Sequence, residues 1–158
     1  MAETVEVTEE IEAPAERVWA MIADLPRMGE WSPENEGATW LGGATEAAPG
    51  ARFRGTNRNG RRQWSTSGRI VECEPGRLLA FRVSAGGLKV AEWRYAVEPT
   101  EAGCRVTETW VDERGPIVKV LGKPVSGVGD RAEHNRRGMA ETLRRIKSAA
   151  EAAAAGSS

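Results

Sequence analysis

A glutamate on an apolar strand is the residue whose position indicates the most chemistry. The strand around it alternates, and Glu108 shares its face with Val106 and Trp110. A carboxylate on an apolar face is costly unless it is paired or protonated. The natural register of the preceding strand places Tyr95 opposite Glu108. The sequence therefore predicts a polar pair set into an apolar wall.

Two interpretations of this pair are open. In the first, Glu108 and Tyr95 orient a ligand hydroxyl or move a proton, and in an enzyme Glu108 is the general acid/base with Tyr95 as its hydrogen-bond partner. In the second, they form a satisfied structural hydrogen bond, because perturbed buried carboxylates mark functional sites only statistically. The inward positions hold no dense acid/base constellation, which favours binding over catalysis.

Two further features, a single histidine and a glycine-containing segment, are candidates for a catalytic or cofactor-binding role, but their surroundings do not support it. His134 is the single histidine, which excludes multi-histidine metal sites. No nucleophile-elbow pattern accompanies it, and it lies off the apolar stripe of its helix, so packing at the helix start is favoured. Residues 127–132 loosely match a dinucleotide fingerprint but lack the strand that must precede it. We expect no metal and no cofactor.

Composition limits the partners. The 158 residues are 40% apolar and 28% charged, with a net charge of −1, which predicts one globular domain over residues 1–150 and argues against nucleic-acid binding. Arg62 is predicted to point inward at a hairpin tip and to guard a pocket mouth. A solvated outer face is the ordinary interpretation of the other arginines around that tip, which are Arg52, Arg54, Arg58 and Arg61.

The sequence also bears on where in the cell the protein is expected. No apolar run approaches the roughly 18 residues of a membrane span, and residues 1–4 are acidic and unlike a secretory signal. We therefore expect a cytoplasmic protein without integral membrane association, as a monomer or a homodimer. Cys73 and Cys104 fit no ligand spacing and are expected to be free thiols.

The pattern along the chain predicts an α+β fold. Residues 4–12 alternate as a half-buried strand, and two short helices follow, one opening at Pro14 and one over residues 24–31. A meander of strands occupies the middle, with Trp40 in an early loop region. The apolar stripe of residues 128–150 predicts a long helix, and residues 151–158 are expected to be a frayed or disordered tail. Ile117, Val120 and Leu121 indicate a short helix before it, set apart by Pro124.

Three hairpins set the predicted registers. Asn59-Gly60 is a strong two-residue turn signal, and it pairs Gly55 with Trp64 and Phe53 with Thr66. The turn at residues 74–77 pairs Ile70 with Phe81 and Gly68 with Val83. The last hairpin pairs Trp93 with Trp110 as well as Tyr95 with Glu108.

These registers gather aromatic side chains on one face. The chain has six tryptophans but two phenylalanines and one tyrosine. One sheet and one long helix do not readily fill the concave side, so we favour a ligand cavity over a filled core. Asn135 lies on the helix stripe and can direct its amide to a ligand or to the backbone. The predicted ligand-binding residues are Trp31, Phe53, Asn57, Trp64, Thr66, Phe81, Trp93, Trp110, Asn135, Met139 and Leu143.

Several segments carry a resemblance to a known superfamily. They are residues 11–19, Trp31-Ser32-Pro33, residues 68–76 and 103–110, and His134-Asn135, Gly138-Met139 and Thr142-Leu143 in the last helix. Together they resemble the START-like helix-grip proteins (SRPBCC), in the branch of polyketide cyclases/dehydrases and lipid transport proteins. The resemblance implies a curved antiparallel sheet of six or seven strands around a long C-terminal helix, with two short helices after the first strand.

The resemblance also implies a hydrophobic small molecule, held in a cavity under the long helix. We expect the chain to bind an aromatic, polyketide-like or lipidic compound as a carrier or sensor. The alternative is a cyclase/dehydrase-type enzyme in which Glu108 and Tyr95 are the acid/base pair. A second alternative is a protein-interaction domain with a filled core. Fold alone does not decide between them.

Overall fold

Seven antiparallel strands form one curved sheet in the order β1-β7-β6-β5-β4-β3-β2. The computed structural model describes residues 3–128 and 130–156. Because β1 pairs with β7, the start of the chain lies beside its last strand. The strands are β1 (Thr4–Ile11), β2 (Asn35–Leu41), β3 (Arg52–Asn59), β4 (Arg62–Glu74), β5 (Leu78–Ala85), β6 (Leu88–Pro99) and β7 (Cys104–Asp112).

The helices follow the predicted order. α1 (Ala15–Ala23) begins after Pro14, where a missing N–H costs little, and a short 3₁₀ helix (Leu25–Glu30) follows it. α2 (Pro116–Ser126) and the long α3 (Arg131–Gly156) come after the sheet. This is the predicted α+β helix-grip arrangement. No helix in the described part of the chain has the length and apolar character needed to cross a bilayer.

α3 begins three residues later and ends later than its apolar stripe predicts. The Asp130 carboxylate accepts a hydrogen bond from the Glu133 backbone N–H at 3.1 Å and so caps the helix. The helix continues to Gly156, so residues 151–156, expected to be frayed, are helical. Glu151 is held by the Lys147 ammonium and the Glu12 backbone N–H. Ser157 and Ser158 lie outside the described residues.

The two halves of α3 have different neighbours. In its C-terminal half Leu143, Ile146 and Ala150 pack in the main core, which also contains Val18 and Ile22 of α1. In its N-terminal half Met139 joins a smaller cluster with Val5, Ala91 and Trp110. The main core therefore supports one end of the helix, while the other end lies over the sheet where the aromatic side chains gather.

Two of the three predicted hairpin registers are confirmed. Tyr95 lies opposite Glu108 and Trp93 opposite Trp110. Ile70 pairs with Phe81, and Gly68 with Val83, before a bulge interrupts the β4–β5 ladder. Both hairpins have short turns that leave little freedom of register.

The β3–β4 register prediction is wrong by two residues. The turn is Gly60-Arg61, and Gly60 alone has a positive φ, +64°, as in turns with glycine at the first central position. Asn57 therefore faces Trp64, and Phe53 faces Gly68. Since the slip is even, each side chain keeps its predicted face of the sheet.

Gly68 gives this pairing its physical basis. A Cβ atom there would lie 2.1 Å from the Phe53 ring, so only glycine allows the ring to cross β4. The Phe53 ring thereby reaches Phe81 on β5, with centroids 5.4 Å apart in an edge-to-face contact. Phe81 in turn stacks on Tyr95 at 6.5 Å. This aromatic row continues across the sheet to the polar pair on β6 and β7.

Trp40 lies in β2 and not in a loop as predicted. Its ring contacts Phe53 edge-on, with centroids 6.0 Å apart. Gly37 and a bulge beside it break the alternation of β2, so the strand has no clear period in the sequence. β2 is the edge of the sheet that lies farthest from β1.

Candidate functional site

A cavity of about 950 Å³ lies between the sheet and the N-terminal half of α3. Strands β3 to β7 form one wall, and α2 and α3 form the other. This volume lies in the range of small-molecule sites in proteins. A protein-interaction domain with a filled core, the second alternative considered from the sequence, does not agree with this cavity.

Most of the predicted site residues meet on the cavity wall. The sheet contributes an aromatic surface with a few polar groups, and α3 contributes one amide and one thioether. The predicted residues that line the cavity are Phe53, Asn57, Trp64, Thr66, Phe81, Trp93, Tyr95, Glu108, Trp110, Asn135 and Met139.

Two predicted residues lie away from the wall. Leu143 is fully buried one turn beyond Met139, where α3 already packs against the main core. Trp31 ends the 3₁₀ helix and is buried in the same core, with the Arg27 guanidinium 5.4 Å above its ring. Arg62, predicted to guard the mouth, is also absent from the wall. Its guanidinium donates to the Pro124 carbonyl oxygen at the end of α2, at 3.1 Å.

Glu108 and Tyr95 form the predicted pair. The phenolic O–H donates to Glu108 Oε1 at 2.7 Å, and both side chains are buried. The other carboxyl oxygen, Oε2, is buried and has no hydrogen-bond partner among the described residues. The carboxyl group is therefore half satisfied, which is unusual for a buried polar group.

The environment of this pair favours the neutral acid. Burial raises the pKa of Glu108 to about 8, although the Tyr95 hydrogen bond lowers it in part. Burial and the nearby carboxylate raise the pKa of Tyr95 well above 10. At neutral pH both groups therefore hold their protons.

A second buried carboxylate on the same strand is fully paired. Asp112 accepts two hydrogen bonds from the Arg114 guanidinium, both at 2.9 Å, and Lys119 Nζ lies 3.8 Å away. Burial acts to raise the pKa of Asp112, but the hydrogen bonds and charge of Arg114 outweigh it and the pKa is lowered. Arg114 itself lines the cavity.

A third polar cluster joins the chain before β2 to the start of α3. The Glu34 carboxylate accepts from Arg131 at 2.8 Å and lies 2.9 Å from His134 Nε2. Arg131 also lies over the Trp64 ring, 6.0 Å from its centroid. These polar side chains line a partly exposed side of the cavity. His134 thus links the start of α3 to the chain before β2 through Glu34, and nothing in the sequence near it identifies Glu34 as its partner.

α2 also contributes to the cavity wall, which its sequence does not predict. Val118, Leu121 and Val125 line the cavity at helical spacing, but Leu121 and Val125 stay more than half exposed, and Ile117 and Val120 are 70% exposed. The apolar spacing predicts the helix but not the surface it covers. Asn59 of the β3–β4 hairpin fixes the end of α2, because its side-chain amide donates to the Ser126 carbonyl oxygen at 2.8 Å.

The cavity wall has few groups that could hold a metal. In residues 3–128 and 130–156, no three His, Cys, Asp or Glu side chains are grouped as metal ligands. Cys73 and Cys104 are free thiols, and neither lines the cavity.

Comparison with known structures supports the fold. A Polyketide_cyc-like protein from Corynebacterium glutamicum is 31% identical, with 93% of this chain and 90% of that chain covered and a TM-score of 0.58. The di-domain ARO/CYC StfQ of the steffimycin biosynthetic pathway is 16% identical, with a TM-score of 0.75; the match covers 98% of this chain and 53% of StfQ. A protein from Chromobacterium violaceum is 15% identical, with coverage of 94% and 97% and a TM-score of 0.69.

Sequence comparison gives the family. No curated protein matches the chain significantly. The family described as polyketide cyclase / dehydrase and lipid transport matches residues 2–151, which is nearly the whole chain. With this match, the helix-grip fold and the internal cavity, the chain belongs to the polyketide cyclase/dehydrase and lipid transport family.

Proposed function

We propose that the protein binds a hydrophobic, aromatic or polyketide-like small molecule in the cavity, as a carrier or sensor. The cavity itself carries this proposal, because about 950 Å³ of space lined by aromatic rings and a few polar groups has the size and character of a small-molecule site. The family and the StfQ likeness agree with a polyketide-related ligand.

Native mass spectrometry of freshly purified protein tests this proposal most directly. The expected result is a co-purifying compound of a few hundred daltons. A titration with planar aromatic compounds should also quench tryptophan emission, since indoles line the cavity. Unchanged emission and no thermal shift across a broad panel of aromatic and lipidic compounds would contradict the proposal.

Two tryptophan variants make a matched pair for this titration. Trp93→Ala removes an indole from the cavity wall and should weaken binding about tenfold or more, since a large contact area is lost. Trp40→Ala removes an indole that packs on the far side of Phe53 and does not line the cavity. It should change affinity less than about threefold. Equal effects of the two changes would place the ligand elsewhere.

A cyclase/dehydrase-type enzyme is the second candidate, and the Glu108–Tyr95 geometry favours it specifically. A carboxyl group whose pKa is near 8 can give and take a proton at neutral pH. In a turnover assay Glu108→Gln should bind ligand almost normally and lose about 10²–10⁴-fold in rate. A variant that turns over at the original rate would leave Glu108 without a catalytic role.

A further inference from the structure

The Glu108–Tyr95 pair has one more O–H group than its own contact uses. At neutral pH the pair holds two acidic protons, one on the phenol and one on the carboxyl group. The 2.7 Å contact between the phenol oxygen and Oε1 uses one of them. The other O–H has no partner among residues 3–128 and 130–156, because Oε2 is unpartnered there, and Glu108 lines the cavity. A buried O–H without an acceptor is a position where a ligand oxygen is favoured.

We propose that this free O–H recognises a carbonyl oxygen, so that the cavity selects flat apolar ligands carrying a carbonyl group over otherwise identical hydrocarbons. The proposal rests on the proposed binding function and adds the chemistry of the ligand. A carbonyl fits because it accepts a hydrogen bond without bringing a donor that itself needs a partner. Flatness fits because the neighbouring surface consists of the Phe81, Trp93 and Trp110 rings.

The elements packed around Glu108 keep it protonated. β1 places Val7 directly opposite Glu108, and β6 places Tyr95 there. α3 brings Met139 and the amide of Asn135 to the same cavity. Burial and Tyr95 account for the pKa of about 8. The charged and titratable side chains elsewhere on the wall are Glu34, Arg58, Arg114, Arg131, His134, Arg137, Glu141 and Arg144, and none of them contributes to that value.

The test compares 9-fluorenone with fluorene, which have the same ring system and differ in one carbonyl oxygen. Dissociation constants are measured at pH 6.5 by equilibrium dialysis. The quantity of interest is the fluorene-to-fluorenone ratio of the dissociation constants. Glu108→Leu removes the donor at similar volume and should lower this ratio about five- to tenfold, as expected for one hydrogen bond. Glu108→Gln retains an N–H donor and should keep the ratio.

Two controls sharpen this experiment. Thr142 lines the same cavity, but its hydroxyl already donates to the Gly138 carbonyl oxygen at 2.8 Å. Thr142→Val should therefore leave the ratio unchanged. Raising the pH to 9.5 should lower the ratio in the unsubstituted protein, because Glu108 loses its proton, but not in Glu108→Gln, whose amide does not titrate.

The outcomes separate the two proposals. If neither compound binds the unsubstituted protein, the carbonyl inference is overturned, and the broad compound panel described above decides whether the binding function stands. If both compounds bind and the ratio is the same in Glu108→Leu, the carbonyl inference is overturned while the binding function stands. Should Glu108→Leu fail to fold, the pH series on the unsubstituted protein and Glu108→Gln decides alone. Parallel pH profiles of these two proteins would overturn the inference.

Discussion

Two carboxylates on β7 lie four residues apart and point to the same side of the sheet, and both are buried, Glu108 more deeply, yet their pKa values are shifted in opposite directions. Asp112, at the end of the strand, faces Arg114 and Lys119. Glu108, in the middle of the strand, faces a phenol, a valine and open space. Burial acts in the same direction on both groups, but only Asp112 has a cation to oppose it, and its pKa is lowered while that of Glu108 is raised.

The difference shows that burial alone does not make a functional group. A buried carboxylate that is bound by a bidentate arginine has its charge and its hydrogen bonds compensated within the protein. A buried carboxyl group with one phenol and one unpartnered oxygen can still satisfy a ligand. The comparison therefore assigns a structural role to Asp112 and leaves Glu108 as the group available for recognition or chemistry.

Removing the cation from Asp112 should have the largest effect. Arg114→Ala leaves the buried Asp112 carboxylate with the backbone N–H of residue 114 and the Lys119 ammonium 3.8 Å away, which should lower the free energy of unfolding by about 3 kcal/mol. Chemical denaturation measures this change. The control is Arg105→Ala, because Arg105 forms an exposed pair with Glu10 and should contribute less than about 1 kcal/mol. Equal small losses would show that Asp112 is not held as the geometry indicates.

The pH dependence of stability should come mainly from Glu108. Its pKa is 4.5 when the chain is unfolded and about 8 when it is folded, so the folded protein keeps a proton that the unfolded chain releases. The stability from this group is complete below pH 4.5 and is lost as the pH rises towards 8. Between pH 5 and pH 7.5, the unsubstituted protein should lose roughly 3 kcal/mol relative to Glu108→Gln. If the free energies of unfolding of the two proteins change equally with pH, Glu108 is not protonated in the folded state as stated above.

Neutral replacements of the two carboxylates should differ by a smaller amount. At pH 4.5, Glu108→Gln replaces a protonated acid with an amide of the same shape and should change stability by less than about 1 kcal/mol. Asp112→Asn removes an ionised partner of Arg114 and should cost about 2 kcal/mol. Thermal denaturation of the two variants side by side measures the difference. If Glu108→Gln is the more damaging change, the roles assigned above are reversed.

Contacts between neighbouring strands of one hairpin could be predicted from the sequence. Tyr95 and Glu108 belong to neighbouring strands joined by a short turn, and alternation fixes their faces, so the pair was predicted correctly. The predicted β3–β4 register is wrong because both Asn59 and Gly60 tolerate a positive φ. The sequence therefore does not show whether Asn59-Gly60 or Gly60-Arg61 forms the turn. The sequence therefore predicts which residues pair within a hairpin, provided that the position of the turn is clear.

Contacts between distant segments were not readable. Glu34 meets Arg131 across 97 residues, and neither has a local pattern that identifies the other. The apolar face of α2 was visible, but the sequence does not state that it covers the cavity. Leu143 lies on the apolar stripe that predicts the wall, but the middle of α3 already packs in the main core, and the end of the 3₁₀ helix buries Trp31 in the same core.

The closeness of Tyr95 and Glu108 along the chain has a consequence for the order of folding. Their contact closes a loop of 13 residues, whereas the Glu34–Arg131 contact spans 97. Short loops lose less entropy on closing and form sooner. We expect the β6–β7 hairpin to bring the pair together before α3 docks, so that this buried polar pair forms before the cavity exists. In pulsed hydrogen exchange during refolding, β6 and β7 amides should gain protection ahead of those in α3, and the reverse order would contradict this.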